Sequence, residues 1–244
     1  MTLPPKLSRC FVIAEAGTAH LGQLDKAMRL VRAAAEAGAD AIKFQWFHCD
    51  TVDIAFGQPT IQESMFCWID GDEAREPRWR RSVMELDQWR QVKEYAEACG
   101  LVFLASAFQH DTVRWLIDLK LQATKVASRA AKTFPYDMDG LPQPFLVSDG
   151  MGRGLPHVPG EYIYVECEAN YPSTEAWSGR GSGFSDHSGK PFLGIDAITR
   201  GCELLEVHFM VDPTDAGPDL PACLTVDELR LICDARDYYA ERAA

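Results

Sequence analysis

The chain has 244 residues, of which 47% are hydrophobic and 25% charged, an ordinary balance for one globular domain with its own core. Its net charge of −12, from 36 acidic and 24 basic side chains, repels phosphate backbones and anionic lipids, so neither nucleic acid nor membrane is expected as a partner. No signal-peptide pattern opens the sequence, no run approaches the roughly 20 apolar residues of a membrane span, and the eight cysteines are scattered singly, as expected of a cytoplasmic protein with reduced thiols.

Strand-like and helical patterns alternate through the first half of the chain. The predicted strands are 11–14, 41–44, 101–104 and 124–126. The predicted helices are 24–37, 85–99 and 111–119. Nearly continuous apolar strands separated by helices are typical of a parallel sheet covered by helices.

The rhythm changes in the second half. Strands are predicted at 145–147, 162–165 and 183–185, but the connections 149–161 and 171–182 are rich in Gly, Pro and Ser and lack a helical period. A helix at 195–201, a strand at 204–208 and a helix at 226–242 restore the alternation, the last helix with a capping box of Thr225 and Glu228. The whole chain, 1–244, therefore predicts a single-domain (β/α)8 TIM-type barrel whose outer helices after strands 5 and 6 are shortened or missing.

Two expectations concern surfaces outside the barrel. Strands 5 and 6 should have apolar outer faces under thin loops, and a second subunit is expected to cover them, which predicts a homo-oligomer. The segment 47–81, after strand 2, has no strong period and is interpreted as an active-site lid or an oligomer arm.

Polar residues recur where the predicted strands end, and in a barrel these positions converge on one face. They are Glu15, Lys43, Gln45, Ser106, Lys125, Ser128, Ser148, Ser185, Asp186, His187, Glu206 and His208. This recurrence predicts an active site at that face.

Two of these residues are lysines in apolar surroundings. Burying Lys43 within an apolar strand is costly unless its ammonium group meets an anion. With Lys125 and several hydroxyls nearby, a phosphate or carboxylate ligand is indicated. The alternative is a structural ion pair inside the barrel, for instance between Lys43 and Glu15, although two lysines on different strands favour a ligand.

His187 and His208 end neighbouring strands and are able to share a divalent metal ion. The alternative is a pair of hydrogen-bonded structural imidazoles. Asp219 follows Gly-Pro and is equally well explained as a turn residue, and Tyr171, before a proline, as a loop anchor.

These residues lie in nine ordered blocks through which the chain resembles the sialic acid synthase (N-acetylneuraminate synthase) family over nearly its whole length. The blocks are IAEAG at 13–17 with His20 and Gly22, AGADAIKFQ at 37–45, FLASAF at 103–108, KVAS at 125–128, SDGM at 148–151, YPS at 171–173, FSDHSG at 184–189, EVHF at 206–209 and GPD at 217–219. No single block would suffice for the resemblance, but the ordered set is specific.

The resemblance implies a transferase of carbohydrate biosynthesis that condenses phosphoenolpyruvate with a sugar-like aldehyde, releasing phosphate and forming a 2-keto sugar acid. It implies Mn²⁺ or Mg²⁺ held by His187 and His208, with Glu15, Lys43 and His187 as catalytic residues and Glu15 either handling protons or orienting a metal-bound water. The positions that grip phosphate and carboxylate are Lys43, Lys125, Ser106, Ser128, Ser148 and Ser185. The positions near the sugar are Gln45, Tyr171 and Asp219.

Departures from the family pattern concentrate in the sugar half of the site. Arg129-Ala130 replaces Gly-Glu, Glu168-Ala169 replaces Thr-Asn and Ala19 replaces Asn, and the C-terminal antifreeze-like domain is expected to be absent. Arg129 either binds an acid or phosphate on a different acceptor or is a surface arginine. We therefore expect an altered acceptor, with two rival hypotheses: another aldol-type phosphoenolpyruvate synthase, or a barrel that binds a ligand or partner without turnover.

Overall fold

A computed structural model describes residues 9–47, 72–149 and 157–243 of the chain. Eight parallel strands close into a barrel in the order β1 to β8, which confirms the predicted fold class. The strands are β1 Phe11–Gly17, β2 Ala41–Trp46, β3 Val102–Ala107, β4 Thr124–Val126, β5 Phe145–Ser148, β6 Tyr162–Cys167, β7 Gly183–Asp186 and β8 Leu204–His208. The barrel closes between β1 and β8, where Phe11 pairs with Leu204 and Glu15 with His208.

The helices cover the barrel unevenly. They are α1 Leu24–Glu36, α2 Asp72–Arg81, α3 Leu86–Ala98, α4 His110–Asp118, α5 Pro191–Thr199, α6 Pro213–Ala216 and α7 Val226–Ala243, with a 3₁₀ turn at Gly217–Ala222. The predicted capping box of α7 is confirmed, because the Thr225 amide donates to Glu228 Oε2 at 2.8 Å and the Glu228 amide to Thr225 Oγ1 at 3.2 Å. In the described part of the chain, no helix has the length and apolar character needed to cross a bilayer.

The side of the barrel that lacks covering helices lies where it was predicted and also includes the connection before β5. The described part of the β5–β6 connection, 157–161, and the whole β6–β7 connection, 168–182, contain no helix. The connection 127–144 between β4 and β5 consists of turns as well, which the sequence did not predict.

The outer face of β5 is apolar, as predicted, but the chain itself covers it, so this strand offers no open face to a second subunit. All four residues of β5 are buried, and Tyr136 of the preceding connection packs edge-on against Phe145 with ring centroids 5.4 Å apart. Only the start of β6 is open, with Tyr162 49% exposed. The homo-oligomer remains a prediction.

The amino-terminal end of the barrel is held by a buried arginine of α7. The side chain of Arg236 is 2% exposed and forms an ion pair with Asp40, whose second oxygen pairs with Arg9 at 2.7 Å. Arg236 also donates to the Gly38 carbonyl at 3.0 Å, and Asp40 accepts the Val12 amide at 2.8 Å. This network ties α7 to β1 and to the start of β2.

The prediction of a lid or oligomer arm falls partly outside the described residues. Positions 48–71 are not among them, while 72–81 forms α2. Arg78 fixes α2 to the carboxyl end of the barrel by donating to Thr18 Oγ1 at 2.8 Å and to the Asp215 carbonyl. The six cysteines in the described part of the chain are free, in agreement with the prediction of reduced thiols.

Candidate active site

Alternation along the strands divides the barrel interior into an apolar layer and a polar layer. Side chains two residues apart in a strand face the same side of the sheet. An apolar cluster fills the amino-terminal part of the interior. In seven of the eight strands, the residue two positions after a member of this cluster lines the cavity above it. The successive pairs are Ile13 and Glu15, Ala41 and Lys43, Leu104 and Ser106, Ala123 and Lys125, Leu146 and Ser148, Val165 and Cys167, and Leu204 and Glu206.

Of the polar residues predicted at the strand ends, Asp186 lies outside the cavity, where its Oδ1 accepts the Ser188 amide at 2.8 Å. The residues to which the resemblance assigns a role all line one cavity of about 130 Å³ at the carboxyl ends of the strands. They are Glu15, Lys43, Gln45, Ser106, Lys125, Ser128, Ser148, Tyr171, Ser185, His187, His208 and Asp219. The structure therefore brings the predicted set together, while the role assigned to each member stays a prediction.

The two lysines form internal ion pairs and also line the cavity, so the two interpretations of them are compatible. Lys43 Nζ lies 2.8 Å from Glu15 Oε2, 3.4 Å from Glu206 Oε2 and 3.2 Å from Ser106 Oγ. Lys125 Nζ donates to Ser148 Oγ at 2.7 Å and lies 3.6 Å from Glu206 Oε2. Each lysine contacts groups on several different strands, which fixes its direction inside the barrel.

The two lysines differ in how fully their charge is compensated. Burial would lower the pKa of Lys43, but Glu15 and Glu206 outweigh burial and raise that pKa. Burial, together with the charge of Lys43, lowers the pKa of Lys125, and the carboxylates of Glu206 and Glu15 do not restore it. A further anion near Lys125 would therefore stabilise its ammonium form.

Glu206 is the shared partner of both lysines, and the sequence indicated no role for it beyond its place at a strand end. Its Oε1 accepts a hydrogen bond from Ser185 Oγ at 2.9 Å. Burial alone would raise the pKa of Glu206, but Lys125 and Lys43 outweigh burial and lower it to about 2. The side chain is therefore a carboxylate that organises the cationic base of the cavity.

His187 and His208 direct their Nε2 atoms to the same point. His187 Nδ1 bonds to the Glu168 carbonyl oxygen, which can only accept, so Nδ1 carries the proton and Nε2 is the unprotonated nitrogen, 3.2 Å from Ser185 Oγ. Burial lowers the pKa of His187 to about 3, which keeps the imidazole neutral. The Tyr171 hydroxyl lies 3.4 Å from the Nε2 atom of each histidine.

The donor set fits a divalent ion with two protein ligands. Within the described residues, no group of three or more His, Cys, Asp or Glu side chains is placed to hold a metal. The two Nε2 atoms meet at Tyr171 on the cavity wall, where water and substrate are available as further ligands. Catalytic metal sites keep such open positions, in contrast to closed structural sites.

Gln45 and Asp219 line the cavity near the carboxylate of Glu15. Gln45 Nε2 donates to Glu15 Oε1 at 3.3 Å. Asp219 is placed by the 3₁₀ turn, and its Oδ2 lies 3.3 Å from the point where a side chain on Gly17 would begin. Gly17 has φ +53°, so this close approach depends on glycine. Asp219 is thus a cavity residue as well as a turn residue.

The cavity also has members that the sequence did not indicate. Cys167 follows Val165 by the same two-residue step as the other inward positions, and burial raises its pKa to about 11, so it is a neutral thiol. Strand alternation was a sufficient signal for Cys167. The aromatic wall residues Phe47, Trp79 and Phe108 lie beyond the strands or on α2, where no sequence period points to the cavity.

His20 belongs to a resembling block but does not line the cavity. Its ring is fully buried in edge contacts with Trp89 and Phe44, at centroid distances of 5.0 and 5.7 Å. Its Nδ1 accepts the Gly22 amide at 3.2 Å. His20 therefore supports the loop after β1 from behind the barrel wall.

A closed parallel barrel with paired lysines, carboxylates and imidazoles converging at the carboxyl ends of its strands has the architecture of a TIM-barrel enzyme. The sequence identifies the particular group. The chain belongs to the NeuB family, whose pattern matches residues 30–154 and 161–242.

Several of its relatives are named as sugar-acid synthases. The N,N'-diacetyllegionaminic acid synthase of Legionella pneumophila is 27% identical over 93% of this chain and 72% of its own length. The human N-acetylneuraminate-9-phosphate synthase is 27% identical over 90% of this chain and 67% of its own length. The crystal structure of N-acetylneuraminic acid (sialic acid) synthetase from Leptospira borgpetersenii with citrate matches 100% of this chain and 90% of that one, with a TM-score of 0.76 and 22% identity. That structural likeness shows the shared fold, and the family match confirms the resemblance found in the sequence blocks.

Proposed function

We propose that the protein condenses phosphoenolpyruvate with a sugar-like aldehyde in a metal-dependent reaction that yields a 2-keto sugar acid. Membership of the NeuB family and relatives named as sugar-acid synthases support this reaction class. The observation that carries the proposal is the meeting of Lys43, Lys125, His187 and His208 at one cavity.

The base of the cavity suits a small molecule with several negative charges. Phosphoenolpyruvate carries a phosphate and a carboxylate, and Lys125 is the lysine whose charge is less compensated within the protein. Lys43 lies nearby, Ser106 and Ser148 accept hydrogen bonds from the two ammonium groups, and Ser128 and Ser185 line the same cavity. Charge-assisted hydrogen bonds from these groups would hold both ends of the substrate.

The reaction joins C3 of phosphoenolpyruvate to the aldehyde carbon, while water adds to C2 and the bond from C2 to the phosphate oxygen breaks. The oxygen of the water becomes the keto oxygen on C2 and loses its two protons, one reaching the former aldehyde oxygen and one the released phosphate. Glu15, which contacts Lys43 and Gln45, would orient the water and relay a proton. The remaining polar wall, with Tyr171 and Asp219, would position the sugar hydroxyls.

His187 and His208 would hold the Mn²⁺ or Mg²⁺ ion. When bound, such an ion supplies a Lewis acid that polarises the aldehyde oxygen. The Glu168 carbonyl orients the His187 ring so that Nε2 faces the cavity, as metal-ligating histidines require of their second nitrogen.

The direct test is phosphate release from phosphoenolpyruvate with a panel of sugar aldehydes, with and without Mn²⁺. We expect release that depends on both the aldehyde and the ion. Absence of release across the panel, together with absence of phosphoenolpyruvate binding in calorimetry, would favour the rival binding protein. This alternative is retained because both lysines form ion pairs within the protein itself. Release with a short phosphorylated aldose alone would instead favour the other aldol-type synthase.

A further inference from the structure

One wall of the cavity is a continuous stack of aromatic rings. Phe47 at the end of β2 stacks on Phe108 after β3, with ring centroids 5.0 Å apart and planes inclined by 14°. On its other side Phe47 stacks with Trp79 of α2 at 5.7 Å and 21°. The three rings are at most 6% exposed, and all three line the cavity. These three rings form the aromatic wall of the cavity.

Arg129 lies at the end of the aromatic wall. Its guanidinium carbon is 5.9 Å from the centroid of the Trp79 ring, within the range of a cation–π contact. The residue is half-buried and lines the same cavity as the lysines. Contact with an indole face restrains the guanidinium plane, which lowers the entropy lost when it binds a planar or tetrahedral anion through two hydrogen bonds.

The position of Arg129 distinguishes it from the cations at the cavity base. Lys43 and Lys125 point into the barrel and share the carboxylate of Glu206. Arg129 instead follows Ser128 beyond the end of β4 and stands against α2. Arg129 is therefore a second cationic position in the cavity, on the wall and apart from the base that phosphoenolpyruvate would occupy.

We propose that Arg129 binds an anionic group, phosphate or carboxylate, on the end of the acceptor sugar remote from its aldehyde, while the aromatic wall packs against the carbon chain. The inference rests on the proposed function and adds the chemical class of the acceptor to it. Sugar C–H groups pack on aromatic faces, and a fixed guanidinium recognises an anion at a set distance from them. A neutral sugar leaves this arginine without a ligand contact.

The test compares a neutral aldohexose, its 6-phosphate and its 6-carboxylate, each with and without an acetamido group at C2. Phosphate release is measured at saturating phosphoenolpyruvate and Mn²⁺. We expect the anionic acceptors to have kcat/KM values roughly 10- to 100-fold above the neutral ones, the range of one charge-assisted interaction. The phosphate and carboxylate arms identify which anion is preferred.

Variants of Arg129 test whether the preference for anionic acceptors arises at the aromatic wall. Arg129→Gln should raise the KM for the anionic acceptor roughly 10- to 100-fold and leave the KM for phosphoenolpyruvate and for neutral aldehydes unchanged. Arg129→Lys should recover only part of the loss, because a point charge lacks the planar fork. Lys132→Gln, which removes an exposed positive charge three residues away and outside the cavity, is the matched control.

The outcomes separate the inference from the proposed function. Equal or better use of neutral acceptors, or a change in the KM for phosphoenolpyruvate in Arg129→Gln, overturns the inference while leaving the synthase intact. Should no aldehyde release phosphate, calorimetric titration of the anionic sugars into the protein with phosphoenolpyruvate decides the matter. Binding that Arg129→Gln weakens supports the wall subsite, and absence of binding overturns it. A protein that does not bind phosphoenolpyruvate at all contradicts the proposed function first.

Discussion

Glu206 Oε2 lies 3.6 Å from Lys125 Nζ, and the same oxygen is 3.4 Å from Lys43 Nζ. One carboxylate thus separates two buried ammonium groups that would otherwise repel each other. Its side chain is 5% exposed, so bulk water contributes little to compensating the two positive charges. The arrangement gives the apo protein a charge balance that phosphoenolpyruvate is expected to alter.

Glu206→Gln should destabilise the apo protein by on the order of 3 kcal/mol at pH 7, because the buried lysines lose their common anion. The folded-state pKa of Glu206 is about 2 and that of an unfolded Glu about 4.5, so the stabilisation is complete above pH 4.5 and disappears as the pH falls toward 2. Urea unfolding of both proteins between pH 3 and 8 measures this dependence.

Two further results would decide that interpretation. Phosphate or phosphoenolpyruvate should raise the melting temperature of Glu206→Gln more than that of the wild type, because the anion replaces the missing charge. Glu203→Gln, an exposed neighbour at the start of β8, should change neither quantity. A Glu206→Gln protein as stable as the wild type at pH 7 would show that the lysines do not need this carboxylate.

Arg236→Met should lower the free energy of unfolding by up to about 3 kcal/mol, because Asp40, whose side chain is 14% exposed, loses its buried partner and keeps Arg9 and the Val12 amide. The comparison is Arg230→Met on the same helix, whose exposed ion pair with Asp227 should contribute no more than about 0.5 kcal/mol. Chemical denaturation of the two variants measures the difference. Equal losses of unfolding free energy in the two variants would mean that the substitution within the helix, and not the loss of the buried network, causes the destabilisation.

His20 should make the wild type sensitive to mild acid. Burial, and then the charge of Arg78, lower its pKa from 6.5 to about 3, so the folded state favours the neutral ring. The contribution of the neutral His20 ring to folding stability is therefore fully present above pH 6.5. It declines as the pH falls toward 3, with about 2 kcal/mol lost at pH 5. His20→Asn, which keeps an acceptor for the Gly22 amide but does not titrate, should lose that part of the pH dependence.

The measurement is the difference in unfolding free energy between wild type and His20→Asn at pH 7.5 and pH 5. The variant should gain on the wild type by about 2 kcal/mol over that interval. His110→Asn, at an exposed position on α4, serves as control. Parallel pH curves for the wild type and His20→Asn would rule out His20 as the titrating group.

Most of the base of the site was predictable because it follows strand alternation. Once Ile13 or Ala41 is recognised as an interior residue, Glu15 or Lys43 must occupy the next interior position. That rule extends to Glu206 and Cys167, which the sequence analysis left without a role. The rule depends only on local geometry, so it needs no knowledge of how distant segments pack.

The aromatic wall was not predictable by the same reasoning. Trp79 reaches the cavity because Arg78 fixes α2 to Thr18 and Asp215, contacts between residues 60 and 137 positions apart. Likewise β5 is covered by Tyr136 from a connection without helical period, where a missing helix suggested an open face. Contacts of this kind come from tertiary packing and leave no periodic trace in the chain.

His187→Ala should abolish Mn²⁺ binding and leave the fold intact. Two imidazoles are the only nitrogen donors directed at the point beside Tyr171 among the described cavity residues, and one of them cannot hold the ion alone against water. The barrel should persist, because His187 lies at the cavity surface and not in the apolar layer. Metal content after dialysis and the melting temperature without metal measure the two effects, and His157→Ala, exposed and outside the cavity, is the control. Unchanged metal stoichiometry in His187→Ala would place the ion elsewhere, since no rearrangement of the remaining His208 supplies a second imidazole.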